Sequence, residues 1–325
     1  MVTSMVCSLS RNLLTDPVIN NYLFKIKHHV SLASLSTFAI GGLAKNYIPV
    51  NNNTDLVKIL NYFWQEKLPF KIFAGGSNIV FPDNGLSLFH IHLKNGQLHK
   101  TNSSIIAGAG VSLFRVIELA IVHGLSGLEN LSGIPGSIGG AVVGNAGAYG
   151  SSISEVISQV KIWHEGKIIW LKKDNCQFSY RESIFKQKPY VILQIEMEFN
   201  KSDPRKLKKI SDEIIDFRCQ KYRQGLKCPG SFFKNIVAKN LPPRLLNNIG
   251  KDKINFGKIP AGYLLESVGA KGMRIGDIEI APFHGNLFIN KGKGTARDVK
   301  KLAVILKRKV YQKFGILLEE EIRYF

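Results

Sequence analysis

Residues 133–150 read GIPGSIGGAVVGNAGAYG and place seven of the chain's thirty glycines in eighteen positions without one charged side chain. Glycine admits positive φ and lets a ligand approach the backbone, but it loses more conformational freedom on folding than any other residue. A segment with so little to bury needs something else to order it, and a ligand held against the backbone meets that need. A second such stretch, AGGSN at 74–78, ends the apolar run FKIFA at 70–74. Its consecutive N–H groups and the Ser77 hydroxyl can form a concave nest for phosphate oxygens. No G-x-x-x-x-G-K-[ST] occurs. GAGVSL at 108–113 supplies only a fragment of G-x-G-x-x-G, with no acidic residue placed to hold a ribose. These absences argue against a P-loop and a Rossmann domain.

Outward from these loops the pattern alternates between helix and strand. NYIPV at 46–50 leads to a helix opening at Asn53, Thr54 and Asp55, with Leu56, Ile59, Leu60 and Phe63 on one face. That helix and the following FKIFA make a β-α-β opening. LSLFHIHL and SIIAGAG read as strands, and SLFRVIELAIVHG as a helix capped by Ser112 and ended by Gly124. After residue 150 the signals become hairpins: VKIWH and KIIWL across a Glu165-Gly166 turn, then YVILQIEMEF. From Asp203 a basic amphipathic helix leads to Cys228-Pro229-Gly230. Beyond it come a helix near AGYLLESVG, a strand in NLFIN, a long helix from Thr295 to Phe314, and ILLEEEIRYF as a closing strand. The fold class is α+β, with a boundary expected just before the basic helix and loose structure over 1–22.

Positive charge is concentrated towards the C-terminus. Residues 1–200 carry 17 Lys and Arg against 12 Asp and Glu, whereas residues 201–325 carry 27 against 12, within a net charge of +20. Such a field attracts polyanions, whether nucleic acid, membrane surface or phosphate-bearing small molecules. The lysines are scattered along helices without an aromatic stacking platform, which argues against nucleic acid. Cys7, Cys176, Cys219 and Cys228 form no C-x-x-C pair or metal-ligand spacing. The first residues contain neither a signal peptide pattern nor a membrane-length apolar run, so a cytoplasmic protein is expected.

STFAIGG, AGGSN, the 133–150 segment, FSYRESIFK, GSFFKN, AGYLLESVGAKG, HGNLFIN and LEEEI, in that order between Ser36 and Ile322, resemble the UDP-N-acetylenolpyruvoylglucosamine reductase family. The resemblance is to its shorter subgroup, because no long insertion follows FSYRESIFK. It implies a two-lobed FAD-binding domain of the vanillyl-alcohol-oxidase (PCMH) type over 23–202, with lobes of about 23–85 and 86–202. A smaller α+β substrate domain over 203–325 would follow. It further implies a monomer that takes hydride from NADPH through FAD to the enolpyruvyl vinyl group of a UDP-sugar, giving UDP-N-acetylmuramate for peptidoglycan synthesis. An FAD-dependent oxidase of the same superfamily, and more remotely a basic nucleic-acid-binding protein, are the competing readings.

The same resemblance assigns residues. Gly75, Gly76, Ser77 and Asn78, with Gly136, Ser137, Gly139 and Gly140, are expected near the FAD pyrophosphate. Gly144, Asn145 and Gly147 are expected nearer the ring. Hydride delivery leaves charge beside a carboxylate, which calls for hydrogen-bond donors and a proton source. Arg181 would hold the carboxylate, Ser231 would supply the proton once polarised by a neighbour, and Glu321 would donate to the enol if its pKa is raised. Period-two alternation puts Glu319 and Glu321 on one face and Glu320 on the other. Tyr180 and Asn235 would contact the substrate, and Lys234 its phosphates. Lys221 and Arg223 are weaker candidates for a pyrophosphate, and His284 is read as packing.

Overall fold

NYIPV and the apolar helix face that follows it build the first layer. The computed structural model describes residues 26–325 apart from Gln224 and Asn248, so the expected loose segment 1–22 and Cys7 lie outside the described residues. Here β1 (Val30–Ser31) precedes β2 (Leu43–Val50), which leads into α1 (Asn53–Gln65). Asn52 caps α1 one residue ahead of the expected start, its Oδ1 accepting from the Asp55 N–H at 2.8 Å. The anticipated face of Leu56, Ile59, Leu60 and Phe63 is the buried one.

β3 (Phe70–Phe73), β4 (Ile79–Val80) and β5 (Leu86–Leu93) follow. The sheet runs β1-β2-β5-β3, with β2 and β3 both parallel to β5. This corrects the lobe division expected at 85–86, because β5 is an inner strand of the first sheet. Parallel partners meet through crossovers, which local periodicity does not reveal.

The second layer is a five-stranded antiparallel sheet. It comprises β6 (Leu98–Thr101), β7 (Ser104–Gly108), β8 (Ile157–His164), β9 (Lys167–Lys172) and β10 (Val191–Glu198), in the order β9-β8-β10-β7-β6. Glu165 and Gly166 both take positive φ, 47° and 78°, as a two-residue hairpin between right-twisted strands requires. α2 (Leu113–Val122) ends at Gly124 with φ 64°, as expected. Ser112 stands at its N-cap position, but its hydroxyl makes no capping hydrogen bond. Inside the glycine-rich segment lies α3 (Ile138–Val143), capped by Ser137 Oγ, which accepts from the Gly140 N–H.

α4 (Pro204–Lys221) is the basic helix, with Asp203 as cap. Leu207 belongs to the same core as both sheets' inner faces, and Ser211 shares a buried hydroxyl contact with Ser132 at 2.8 Å. The expected break before Asp203 therefore does not coincide with the packing: charge changes there, but the apolar face of α4 stays on the first core. A second core forms later, between α5 (Ala261–Glu266), a meander of β11 (Arg274–Ile275), β12 (Ile278–Ile280) and β13 (Phe288–Asn290), and α6 (Ala296–Phe314). α6 buries Val299, Leu302, Ala303, Leu306, Val310 and Phe314 along one stripe.

The two cores interlock. Phe38, Ile40 and Val80 pack in the second core, and Asn290 Nδ2 donates to the carbonyls of Phe38 and Ala39. The closing segment differs from the expected long strand. Only β14 (Arg323–Tyr324) is regular, pairing in parallel with β4, while Glu320 makes a single bridge to Phe233.

Candidate active site

The two glycine loops meet. A Cβ on Gly75 would lie 2.6 Å from the Gly136 Cα, so side chains are excluded where the loops touch. Gly136 takes φ 117°, and a Cβ there would reach within 2.5 Å of Ser77 Oγ. Among the described residues, the N–H groups of 75–78 and of Gly136 and Ser137 find no protein acceptor. Such groups take an acceptor from solvent or from a ligand. This arrangement fits a pyrophosphate such as that of FAD.

The polar side chains expected beside the cofactor already hold protein partners. Ser77 Oγ donates to the Pro135 carbonyl at 3.0 Å, and Asn78 Nδ2 to the Glu321 carbonyl at 3.0 Å. Asn145 is buried, with Nδ2 on the Ser179 carbonyl at 2.8 Å and Oδ1 accepting from the Ser154 N–H at 3.3 Å. What these loops offer a ligand is backbone. Gly139 and Gly147 serve close packing instead, since a Cβ would lie 2.7 Å from the Ala109 carbonyl oxygen and 2.6 Å from that of Ser151. Gly76, with φ 60°, abuts the Leu35 carbonyl, whereas Gly140 is exposed and Gly144 meets only the Gly140 carbonyl oxygen at 3.6 Å.

Three segments bring the reactive side chains together. The first is a tight turn closed by reciprocal 3.1 Å hydrogen bonds between Ser179 and Glu182. Arg181 occupies it with φ 59°, a left-handed conformation that costs a non-glycine residue about 1–2 kcal/mol. The second is the stretch 231–235, and the third is 319–321, which lies antiparallel to it. Lys234 N–H donates to the Glu319 carbonyl and Glu321 N–H to that of Phe232, each at 2.8 Å.

Arg181 Nε stands 2.8 Å from Glu321 Oε1. The two groups form a close ion pair at the centre of the cluster. Burial pushes the Glu321 carboxyl pKa up, against the opposing pull of Arg181 and then Lys186. Glu319 and Glu321 face this cluster, while Glu320 turns away to Lys307 at 2.5 Å, as alternation requires.

Tyr180 Oη accepts from the Asn235 N–H at 3.2 Å, and Asn235 Oδ1 accepts from the Ala261 N–H at 3.1 Å. Burial raises the Tyr180 phenol pKa. Ser231 does not bond to Arg181 or Glu321; its Oγ lies 3.2 Å from the Tyr222 hydroxyl. Arg218 and Lys221 sit over the Tyr222 ring at 4.9 and 5.1 Å, and Arg223 over Phe283 at 4.5 Å. Sequence reasoning missed Tyr222, whose only local signal is its place just past a helix end.

Lys234, expected near the substrate's phosphates, has carboxylate partners in the protein. It is buried, with Nζ 2.6 Å from Glu182 Oε1 and also paired to the Glu319 carboxylate. Burial alone would lower its pKa, but the bonds to Glu182 and Glu319 outweigh it and the ammonium stays charged. A substrate phosphate would have to displace two carboxylates. Glu182, next to Arg181 in sequence, pairs instead with Lys234 and Lys186.

Residues 44–172 match the FAD binding domain family, which makes the chain a flavoprotein. Residues 220–325 match the C-terminal domain of UDP-N-acetylenolpyruvoylglucosamine reductase, a match that begins at the end of α4. The chain is 36% identical over 294 residues to the UDP-N-acetylenolpyruvoylglucosamine reductase of Solibacter usitatus, covering 90% of this chain and 94% of that one. It is 33% identical to that of Clostridium novyi, covering 92% of each. The crystal structure of the Thermus caldophilus reductase superposes with a TM-score of 0.72 at 26% identity, over 92% of this chain and 98% of that one. The chain belongs to the UDP-N-acetylenolpyruvoylglucosamine reductase family.

Proposed function

We infer that this protein reduces the enolpyruvyl group of UDP-N-acetylenolpyruvoylglucosamine to UDP-N-acetylmuramate, with FAD as cofactor and NADPH as reductant. The observation that carries this reading is the Arg181 guanidinium held 2.8 Å from the Glu321 carboxyl, whose pKa burial raises. That pairing suits a ligand bearing its own carboxylate and developing charge next to it. The N–H groups of 75–78, Gly136 and Ser137 would hold the FAD pyrophosphate, with Gly140, Gly144 and the Asn145 backbone alongside. When bound, FAD supplies the hydride that NADPH provides.

Arg181 binds the substrate carboxylate through its planar fork and stabilises it as charge is delocalised into the enolate. Glu321, whose carboxyl keeps its proton to higher pH than a free glutamate, donates a hydrogen bond to the same group when protonated. Ser231 gives the proton to the carbon beside the carboxylate, and Tyr222, in contact with its Oγ, polarises it and passes a proton back. Tyr180 and Asn235 line the sugar side of the site. Among the described residues, no helix is long and apolar enough to cross a membrane.

Purified protein is expected to be yellow, absorbing near about 450 nm as flavins do. NADPH should bleach it anaerobically, and the enolpyruvyl UDP-sugar should restore the colour. Reoxidation by dioxygen but not by the sugar would overturn the reading in favour of an oxidase. Ser231→Ala should keep reduction by NADPH and slow reoxidation by the sugar by about 100-fold or more. Equal loss in both half-reactions would remove Ser231 from its role.

A further inference from the structure

We propose that Ser183 and Asn145 are positioning residues that hold Arg181 against the substrate carboxylate. The proposal rests on the reading that Arg181 meets that carboxylate. Both hydrogen bonds join the C-terminal end of α3, inside the glycine-rich segment, to the two shoulders of the turn carrying Arg181. Asn145 Nδ2 donates to the Ser179 carbonyl at 2.8 Å, and Ser183 Oγ donates to the Val143 carbonyl at 2.8 Å. Ser183 is wholly buried and Asn145 nearly so, so neither bond is exchanged for water at low cost.

Between these anchors Arg181 keeps φ 59°, a conformation a non-glycine residue leaves unless its surroundings hold it. Lys186 Nζ adds a third hold by donating to the Arg181 carbonyl at 2.5 Å. Relaxation of this one residue would swing the guanidinium away from Glu321 Oε1, now 2.8 Å from Nε. The anchors belong to the same backbone that flanks the proposed flavin site. They therefore fix the spacing between hydride source and carboxylate clamp, a spacing on which rate depends steeply.

The test is Ser183→Ala, with Ser183→Cys, which keeps the volume and weakens the donor, as the second variant should the first not accumulate as folded holoenzyme. In stopped-flow, flavin reduction by NADPH should change less than about twofold, whereas reoxidation by the enolpyruvyl UDP-sugar should slow roughly 10–100-fold. By calorimetry, UDP-N-acetylmuramate should bind about tenfold more weakly, with UDP-N-acetylglucosamine, which lacks the carboxylate, unaffected. In an Arg181→Lys background, Ser183→Ala should add less than about twofold, because the two changes act through one side chain.

Parallel losses in both half-reactions, equal weakening of both UDP-sugars, or full additivity would each overturn the proposal. A wild-type enzyme that neither turns over the enolpyruvyl sugar nor distinguishes the two UDP-sugars would instead overturn the reading beneath it.

Discussion

Arg181 and Glu321 illustrate how a single contact sets two properties at once. The raised Glu321 pKa keeps the carboxyl protonated at higher pH than a free glutamate, so its donor role is present below the folded-state pKa and lost as pH rises through it. Reoxidation by the sugar should therefore fall on the alkaline side, and Glu321→Gln should be slow and flat across the same range. Arg181 opposes the shift, so Arg181→Ala should move that alkaline limb to higher pH, measurable in the single-turnover pH profile. The stability consequence has the same sign: Glu321 favours folding below the unfolded pKa of about 4.3, and this contribution declines as pH rises towards the folded value. At the glycine loops, Gly75→Ala would drive a Cβ into the Gly136 backbone. A cost of about 1–3 kcal/mol and a reduced flavin content per protein are expected, read from thermal melts and absorbance.

At the scale of elements, α6 joins the two cores through its N-terminus. Thr295 and Asp298 form a capping box, and Asp83 accepts from the Ala296 and Arg297 N–H groups at 2.7 and 3.1 Å. Asp83→Ala should cost about 1–2 kcal/mol, read from the denaturant midpoint. Combined with Thr295→Ala the effect should be non-additive, because both serve one helix end. A second device holds the 231–235 stretch. Asn286 accepts from the Phe233 N–H and donates to the Phe233 carbonyl, both at 2.8 Å, while its own N–H donates to His284 Nδ1 at 3.0 Å. That last bond needs a neutral imidazole, and burial, then Lys221, push the His284 pKa down to about 4. The unfolded chain takes up its proton near about pH 6.5, so stability should drain as pH falls from there through about 4. His284→Gln should show a shallower loss of melting temperature over that interval. His284 thereby supports, through Asn286, the stretch that carries Ser231.

For the whole molecule, the net charge of +20 and its bias towards the C-terminal part give a field that attracts anions at long range, nucleotides among them. KM for NADPH and for the UDP-sugar should rise severalfold between about 50 and about 300 mM salt, with kcat little changed, because screening weakens steering before it reaches buried pairs. The return of the chain end matters on the same scale. Asn78 binds the Glu321 carbonyl, and Arg323 and Phe325 donate to the carbonyls of Asn78 and Val80 at 3.0 and 3.1 Å. The C-terminal segment thereby couples the glycine loop at 75–78 to the Arg181 cluster. Loss of 323–325 should weaken both flavin retention and reoxidation by the sugar, a joint effect that titration with FAD and stopped-flow would separate.

Local chemistry in the sequence determined the glycine loops, the buried face of α1, the Glu165-Gly166 hairpin and the alternation of Glu319, Glu320 and Glu321, because periodicity and backbone freedom act over a few residues. The resemblance carried by the sequence motifs also pointed to Arg181, Ser231 and Glu321 as residues suited to a carboxylate-bearing substrate. Tertiary structure alone decided that β5 is an inner strand of the first sheet, that α4 stays on the first core, and that Lys234 pairs with the Glu182 and Glu319 carboxylates. It also decided that Arg181 is held in a left-handed turn by Asn145, Ser183 and Lys186. These outcomes depend on which distant segments come together and which hydrogen-bonding groups are already satisfied there. A side chain's remaining capacity to bind a ligand is a property of its neighbours in space, and those neighbours are supplied by the closure of long loops.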